Sequence, residues 1–210
     1  AHVSASPNQQ TLRQTPIASR FNVASFGRLG YELDLKHLTH LERTEAREQI
    51  AFYKAHRKTL QFGRFFRHDT SKSNKVYWQA VSQDQTKSVV GVYQPLAQAA
   101  EGNDILPLAG LQDSLSYRIQ TKGQRVFLHR FGGLVNHLLP FSINPNGLLF
   151  RWADRLYAMQ DCVETYEASG KTLMQGVHLN NQFVGTGYNE RVRMLGDFGS
   201  NLYTIQAKSD

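Results

Sequence analysis

The chain has 210 residues, of which 40% are hydrophobic, 11% aromatic and 20% charged, with a formal net charge of +7. That composition excludes disorder, collagen and coiled coil, and it suits one generous domain or one domain plus part of another. The charge is uneven: residues 1–72 hold 12 Lys+Arg against 6 Asp+Glu, and residues 73–210 hold 12 against 11, a first sign of two parts meeting near residues 60–70.

In chain order, His2-Val3-Ser4 reads as the end of a strand, and residues 16–25 as a short helix before Gly27 and Gly30. Residues 31–35 (YELDL) alternate, which puts Tyr31, Leu33 and Leu35 on one face and Glu32 and Asp34 on the other. Thr39 followed by Glu42 has the form of a capping box. A helix over 41–58 then places Glu42, Glu45 and Glu48 near its positive end and Lys54, His56, Arg57 and Lys58 near its negative end. Ala46, Ile50 and Tyr53 recur at helical spacing and predict its buried face. Residues 1–59 therefore read as two β-α units, about a quarter of an eight-unit barrel at roughly 31 residues per unit.

From Leu60 the texture changes. Residues 60–68, 75–82, 88–94, 115–121, 125–131 and 201–206 are predicted strands rich in Val, Tyr, Phe and Trp. Turn clusters at 83–86, 101–104, Lys122-Gly123 and 144–147 separate them. The expected fold is mainly β: an antiparallel β-sandwich over 60–210, preceded over 1–59 by the last two β-α units of a (β/α)8 barrel. With no repeat and no low-complexity linker, the sandwich is expected to pack directly on the helical part. Residues 141–160 give no clear pattern.

No apolar run approaches the ~18 residues that span a bilayer, and residues 1–13 lack the hydrophobic centre of a signal peptide, so a soluble chain with no membrane partner is expected. The chain starts without Met, as a processed, trimmed or excised segment would. The single cysteine, Cys162, excludes an intrachain disulfide and a multi-cysteine zinc site and fits a reducing compartment.

Glu32 and Asp34 lie two apart on a predicted strand, the arrangement by which two carboxylates share acid and nucleophile roles. Helix capping, or pairing with Arg28 or Lys36, accounts for them better. Glu164 and Glu167 offer less, and Asp197 sits in a glycine-flanked turn, GDFG, without the phosphate loop that a kinase needs. The histidines at 2, 37, 40, 56, 68, 129, 137 and 178 lack the spacing of a zinc site, so no metal and no cofactor is expected. Cys162 reads as a small buried hydrophobe. Basic residues interleave with aromatics over 57–68, yet an ordinary strand explains them, and no nucleic-acid partner is expected. Tyr77, Trp78 and Tyr93 suit either a core or a sugar-stacking face.

Several motifs carry a resemblance. Ala1-His2-Val3-Ser4, Pro7-Asn8, Gln10, Arg13, Thr15 and residues 27–35 (GRLGYELDL) resemble the late-barrel block of family-36 α-galactosidases. Residues 49–54 (QIAFYK), His56-Arg57 and 60–63 (LQFG) resemble the helix and strand that follow it. Residues 169–174 (SGKTLM), 188–193 (YNERVR) and 196–200 (GDFGS) resemble the distal part of the lactic-acid-bacterial branch.

The resemblance implies a retaining enzyme that hydrolyses α-galactosides such as melibiose and raffinose, through aspartates in a Lys-Trp-Asp type and a Ser-Asp-Asn type motif. Neither motif occurs in this chain, so no catalytic residue is assigned here and both aspartates are expected upstream of Ala1. The implied setting is the C-terminal portion of a cytoplasmic homo-oligomer, with the rest of the parent polypeptide and an α-galactoside as partners. Gln9 stands where relatives often have His. His2, Ser4 and Asn8 are candidate rim residues of the sugar pocket, and shaping the loop explains them equally. Residues 131–158 depart from the family pattern. The alternative function is a free-standing β-sandwich carbohydrate-binding module.

Overall fold

The computed structural model describes residues 1–10, 12–68, 74–98, 103–137, 144, 147–185 and 189–208. Parts of the predicted turns at 101–104 and 144–147, and Tyr188 of the YNERVR motif, lie outside the described residues. Strand β1 (His2–Ser4) leads through helix α1 (Ile17–Ala24) to β2 (Gly30–Glu32), which pairs with β1 in parallel with Val3 opposite Tyr31. This is a β-α-β unit. Helix α2 (His40–Phe62) follows, and its capping box closes as predicted, with Glu42 N donating to Thr39 Oγ1 at 3.2 Å and Thr39 N to Glu42 Oε2 at 2.8 Å.

The main sheet is antiparallel, with strands in the order β10-β7-β12-β5-β4-β3. Its members are β3 (Arg64–His68), β4 (Val76–Val81), β5 (Lys87–Gln94), β7 (Ser116–Thr121), β10 (Thr165–Ser169) and β12 (Gly199–Ala207). One face carries Tyr77, Val90, Val92, Tyr117, Ile119, Tyr203 and Ile205. Leu106, Leu108, Leu173 and Val177 cover it, from the β6 (Ile105–Leu106) and β11 (Val177–His178) pair, its flanking chain and α4 (Gly170–Leu173). The opposite face packs on the barrel-type helices: α1 lies on β12 and β5, and α2 on β5 and β4. A shared apolar cluster of Val3, Ile17, Phe21, Ala46, Phe127 and Leu202 joins the two parts, as the absence of a linker predicts.

Burial by two layers explains the patterns along the strands. In β5 (KSVVGVYQ) every residue after Lys87 is buried, whereas β7 (SYRIQT), away from the helices, alternates strictly. Strand β8 (Arg125–Phe127) pairs with β9 (Ala158–Gln160), and α3 (Leu148–Leu156) supplies the helix in the region that gave no clear pattern.

Four local expectations are corrected. Residues 60–62 continue α2 instead of starting a strand, because Tyr53 and Leu60, two helical turns apart, both pack on Ala80 and Val89. The chain turns directly into β3 at Gly63, where a Cβ would overlap the carbonyls of Thr59 and Val81. Ile50 is 37% exposed, and the buried face of α2 runs instead through Glu45, Ala46, Gln49, Thr59 and Leu60. Strand β2 stops at Glu32: Asp34 Oδ1 accepts from Lys36 N at 2.8 Å and caps a 3-10 turn over Leu35–His37, which leaves Leu35 exposed. Beyond Phe127 the predicted strand gives way to 3-10 turns, because the Asp154 carboxylate on α3 captures both His129 N and His129 Nδ1.

Candidate functional site

Strands β1 and β2 run the same way, so the loops after Ser4 and Glu32 leave from the same end. Val3 and Tyr31 face α1 and α2, and by alternation His2, Ser4, Gly30 and Glu32 present the other face. That second face is polar and open: the Glu32 side chain is 76% exposed. In a barrel it would line the interior, and the carboxyl ends of its strands are where barrel enzymes place their chemistry. A groove of about 900 Å³ lies at this end, with Ser6, Arg20, Glu32, His37, Asp154 and Asp197 among its walls.

Arg20 organises the groove. Its Nη1 donates to the Ser4 carbonyl and its Nε to the Thr15 carbonyl at 3.2 Å, so one guanidinium joins both ends of the loop after β1. Burial lowers its pKa, against the pull of Glu42 and Glu45. Asn8 Oδ1 accepts from Gln10 N at 3.0 Å, while its backbone bonds to Leu12 and Arg13 within the loop. His2 Nδ1 lies 3.0 Å from Glu32 Oε2. Thus His2 holds a groove carboxylate, Ser4 receives the Arg20 clamp, and Asn8 folds the loop back on itself.

The other carboxylates have structural partners. Asp34 caps its 3-10 turn and lies 3.7 Å from His37 Nδ1. Asp197 Oδ1 accepts from Ala97 N at 2.7 Å, and Arg13 sits 5.4 Å from the Phe198 ring centroid, so the GDFG turn ties the segment after β5 to the start of β12. Glu167 pairs with Arg118 and Lys208 on the surface.

Two buried polar networks have no signature in local sequence. At the junction of the two parts, Asn22 Nδ2 donates to Ser200 Oγ at 2.9 Å, and Gln124 Nε2 donates to Asp161 Oδ2 and to the Ser200 carbonyl, both at 2.8 Å. Asp161 also accepts from Asn201 Nδ2 and from the backbone of Cys162 and Met194, each at 2.9 Å. The second network is ionic. Asp104 accepts from Lys75 Nζ at 2.7 Å and from Arg193, while Glu164 accepts from the hydroxyls of Tyr166 and Tyr203, both at 2.7 Å. Burial alone would raise the Asp104 carboxyl, but the Lys75 hydrogen bond and the Arg193 charge hold it below its ordinary value. These groups bond to one another, apart from Arg193 Nη1, which has no hydrogen-bond partner among the described residues, and they fix the β6–β11 layer to the sheet.

Among the described residues no cluster of three or more His, Cys, Asp or Glu could hold a metal ion, and no helix is long and apolar enough to cross a membrane. Burial raises the Cys162 thiol, the opposite of what a nucleophile needs. Of the candidate stacking aromatics, Tyr77 lies in the sheet core and Tyr93 is buried with its hydroxyl on the Asn22 carbonyl at 2.9 Å. Trp78 packs edge-on against Phe26 and Phe65.

Comparison with known proteins decides the family. The melibiase family model matches residues 1–63, and the model of the glycosyl hydrolase family 36 C-terminal domain matches residues 75–205. The chain belongs to glycosyl hydrolase family 36. Alpha-galactosidase AgaA of Geobacillus stearothermophilus is 39% identical over 124 residues, which cover 59% of this chain and 17% of that protein. Alpha-galactosidase 1 of Pediococcus pentosaceus is 40% identical over 124 residues, 58% of this chain and 17% of the relative. The α-galactosidase from Lactobacillus brevis superposes over 100% of this chain and 22% of its own, with a TM-score of 0.69 at 28% identity. A Geobacillus AgaA structure in complex with raffinose covers 99% of this chain and 22% of that one, with a TM-score of 0.67 at 28% identity. This family-36 chain thus spans about a sixth of the length of the curated relatives it matches.

Proposed function

We propose that this family-36 segment is the C-terminal portion of a retaining α-galactosidase that hydrolyses α-galactosides such as melibiose and raffinose, and that its own role is structural. The carrying observation is the β1–β2 pair: a parallel pair with one face on helices and a polar face in the open is a piece of barrel wall, and its two edges need further strands. On this reading residues 1–59 complete the catalytic barrel, residues 60–210 form the C-terminal β-sandwich, and the two meet where α2 turns into β3. The catalytic aspartates lie upstream of Ala1. His2, Ser4 and Asn8 shape the rim of the sugar pocket, His2 through Glu32 and the other two through the loop after β1. The parent is a cytoplasmic homo-oligomer, with this segment available for subunit contacts.

The packing of Tyr77, Trp78 and Tyr93 weighs against the binding-module alternative in the form that stacks sugars on those aromatics. Expression of the complete coding region that contains this segment tests the proposal. Turnover of an aryl α-galactoside, abolished by replacing either of two upstream aspartates, is expected; a parent polypeptide inert toward α-galactosides overturns it.

A further inference from the structure

A second cavity, of about 830 Å³, opens on the sandwich side, and the reading above gives it no task. Arg130 and Asp197 line both this cavity and the groove at the ends of β1 and β2, so the two spaces share a wall. We propose that this cavity is a distal oligosaccharide subsite, which takes the sugar units of an α-galactoside that extend beyond the barrel mouth.

The lining has the chemistry of a neutral sugar site. Phe131 and Phe183 meet edge to face, with centroids 6.3 Å apart, and the exposed side chains of Leu134 and Val184 continue the apolar surface. Such a surface suits the C–H face of a pyranose ring. Gln98, Asn103 and Asn181 also line the cavity, and their amides are groups able both to donate and to accept, as a ring of hydroxyls requires. The volume lies within the roughly 300–1,000 Å³ usual for small-molecule sites.

The walls are also held before any ligand arrives. Gln182 and Arg193 form a β-bridge, Phe183 N donates to the Arg193 carbonyl at 3.0 Å, and Arg193 N donates to the Asn181 carbonyl at 2.9 Å. On the shared wall, Arg130 Nη2 donates to the Leu195 carbonyl at 2.5 Å. The buried Asp104–Arg193 pair anchors the 181–185 segment from beneath through Gln182, whose Nε2 donates to Asp104 Oδ2 at 2.9 Å. Preorganisation of this kind reduces the ordering cost of binding. It also gives the ionic network a purpose beyond stability.

The inference rests on the α-galactosidase reading, and its test is separable from that one. The isotope-labelled 210-residue chain is titrated with stachyose, with amide chemical shifts as the readout. Saturable shifts are expected at Arg130, Asn181, Phe183 and Asp197. Phe183→Ala is expected to weaken binding about tenfold through the lost ring face. Val184 is 72% exposed, so Val184→Glu leaves the fold intact and is expected to cost about as much, by forcing a charge against the sugar.

Shifts that never saturate, shifts confined to the groove around Arg20 and Glu32, or a Val184→Glu chain that binds as well as the original overturn the proposal. If the isolated chain does not give the spectrum of a folded protein, the parent enzyme carries the test. There the ratio of kcat/KM for stachyose to that for melibiose is expected to fall about tenfold in Val184→Glu. An unchanged ratio overturns the subsite, whereas a parent with no α-galactosidase turnover overturns the reading beneath it.

Discussion

Strands β5 and β12 and strands β1 and β2 pack on the same two helices, yet they differ in completeness. The first two have neighbours on both edges and cover on both faces: Val89, Val90 and Val92 of β5 and Leu202 and Tyr203 of β12 are fully buried. The second two have each other on one edge, helices on one face, and a polar row of His2, Ser4 and Glu32 in the open. The difference shows which strands find all their partners among the described residues. Central strands with two neighbours and two cover layers have their backbone and side chains satisfied within this chain, whereas a two-stranded parallel wall leaves strand edges unpaired among the described residues.

The largest expected effect is at the buried ionic network. Arg193→Ala leaves Asp104 and Glu164 buried without their guanidinium and is expected to destabilise the sheet region by about 3–5 kcal/mol in urea denaturation. A loss below about 1 kcal/mol would mean that the β6–β11 layer does not depend on the network.

Next comes Leu202→Ala, which empties part of the core shared by the two regions, for about 3 kcal/mol. If α1 and α2 are integral to the sheet, amide exchange in both helices and in β12 accelerates together. Acceleration in β12 alone would separate the regions.

Glu45 sharpens the comparison through pH. It is 1% exposed, accepts from Gln49 Nε2 at 3.3 Å, and its Oε2 has no hydrogen-bond partner among the described residues. Burial pushes its carboxyl up to about 7 from an ordinary 4.5, with Lys122 and Arg125 pulling the other way. The native state therefore holds this proton more tightly than the unfolded chain. The stability it confers is complete below about 4.5 and is lost as pH rises through about 7, an effect of up to about 3 kcal/mol. Glu45→Gln is expected to match the original chain near pH 4.5 and to exceed it in thermal stability at pH 8. Equal pH profiles for the two would contradict this. The smallest effect is at Glu48→Ala, which removes the half-exposed bidentate pair with Arg125 and should cost less than about 1 kcal/mol, less still at high salt.

Much of the fold is legible in the sequence because it rests on local chemistry. The Thr39–Glu42 box starts α2, and alternation marks β4 and β7 to within a residue or two. Helix α3 is not legible, since Gly147 offers no capping side chain and Leu148, Trp152 and Leu156 face solvent, so neither end nor face follows the usual rules. Strand β2 is over-read because the alternation of YELDL continues past the point where Asp34 caps a turn.

For the groove, the sequence offers His2, Ser4 and Asn8 as rim candidates, none of which is among its lining residues, and it does not mark Arg20, whose importance comes from carbonyls 5 and 16 residues away. Nothing local marks Glu164 or Arg193, since their partners lie up to 89 residues distant in sequence. Of the two carboxylates expected on one strand face, Glu32 binds His2 and Asp34 caps a turn.

The central claim is that this chain supplies structure to a glycosidase whose catalytic pair lies elsewhere. Assay of the purified 210-residue chain with an aryl α-galactoside tests it most directly. A retaining glycosidase needs two carboxyl groups about 5–5.5 Å apart across the scissile bond, so the account predicts no turnover above the buffer rate. Turnover by the chain alone, lost on replacing Glu32 or Asp34, would contradict it.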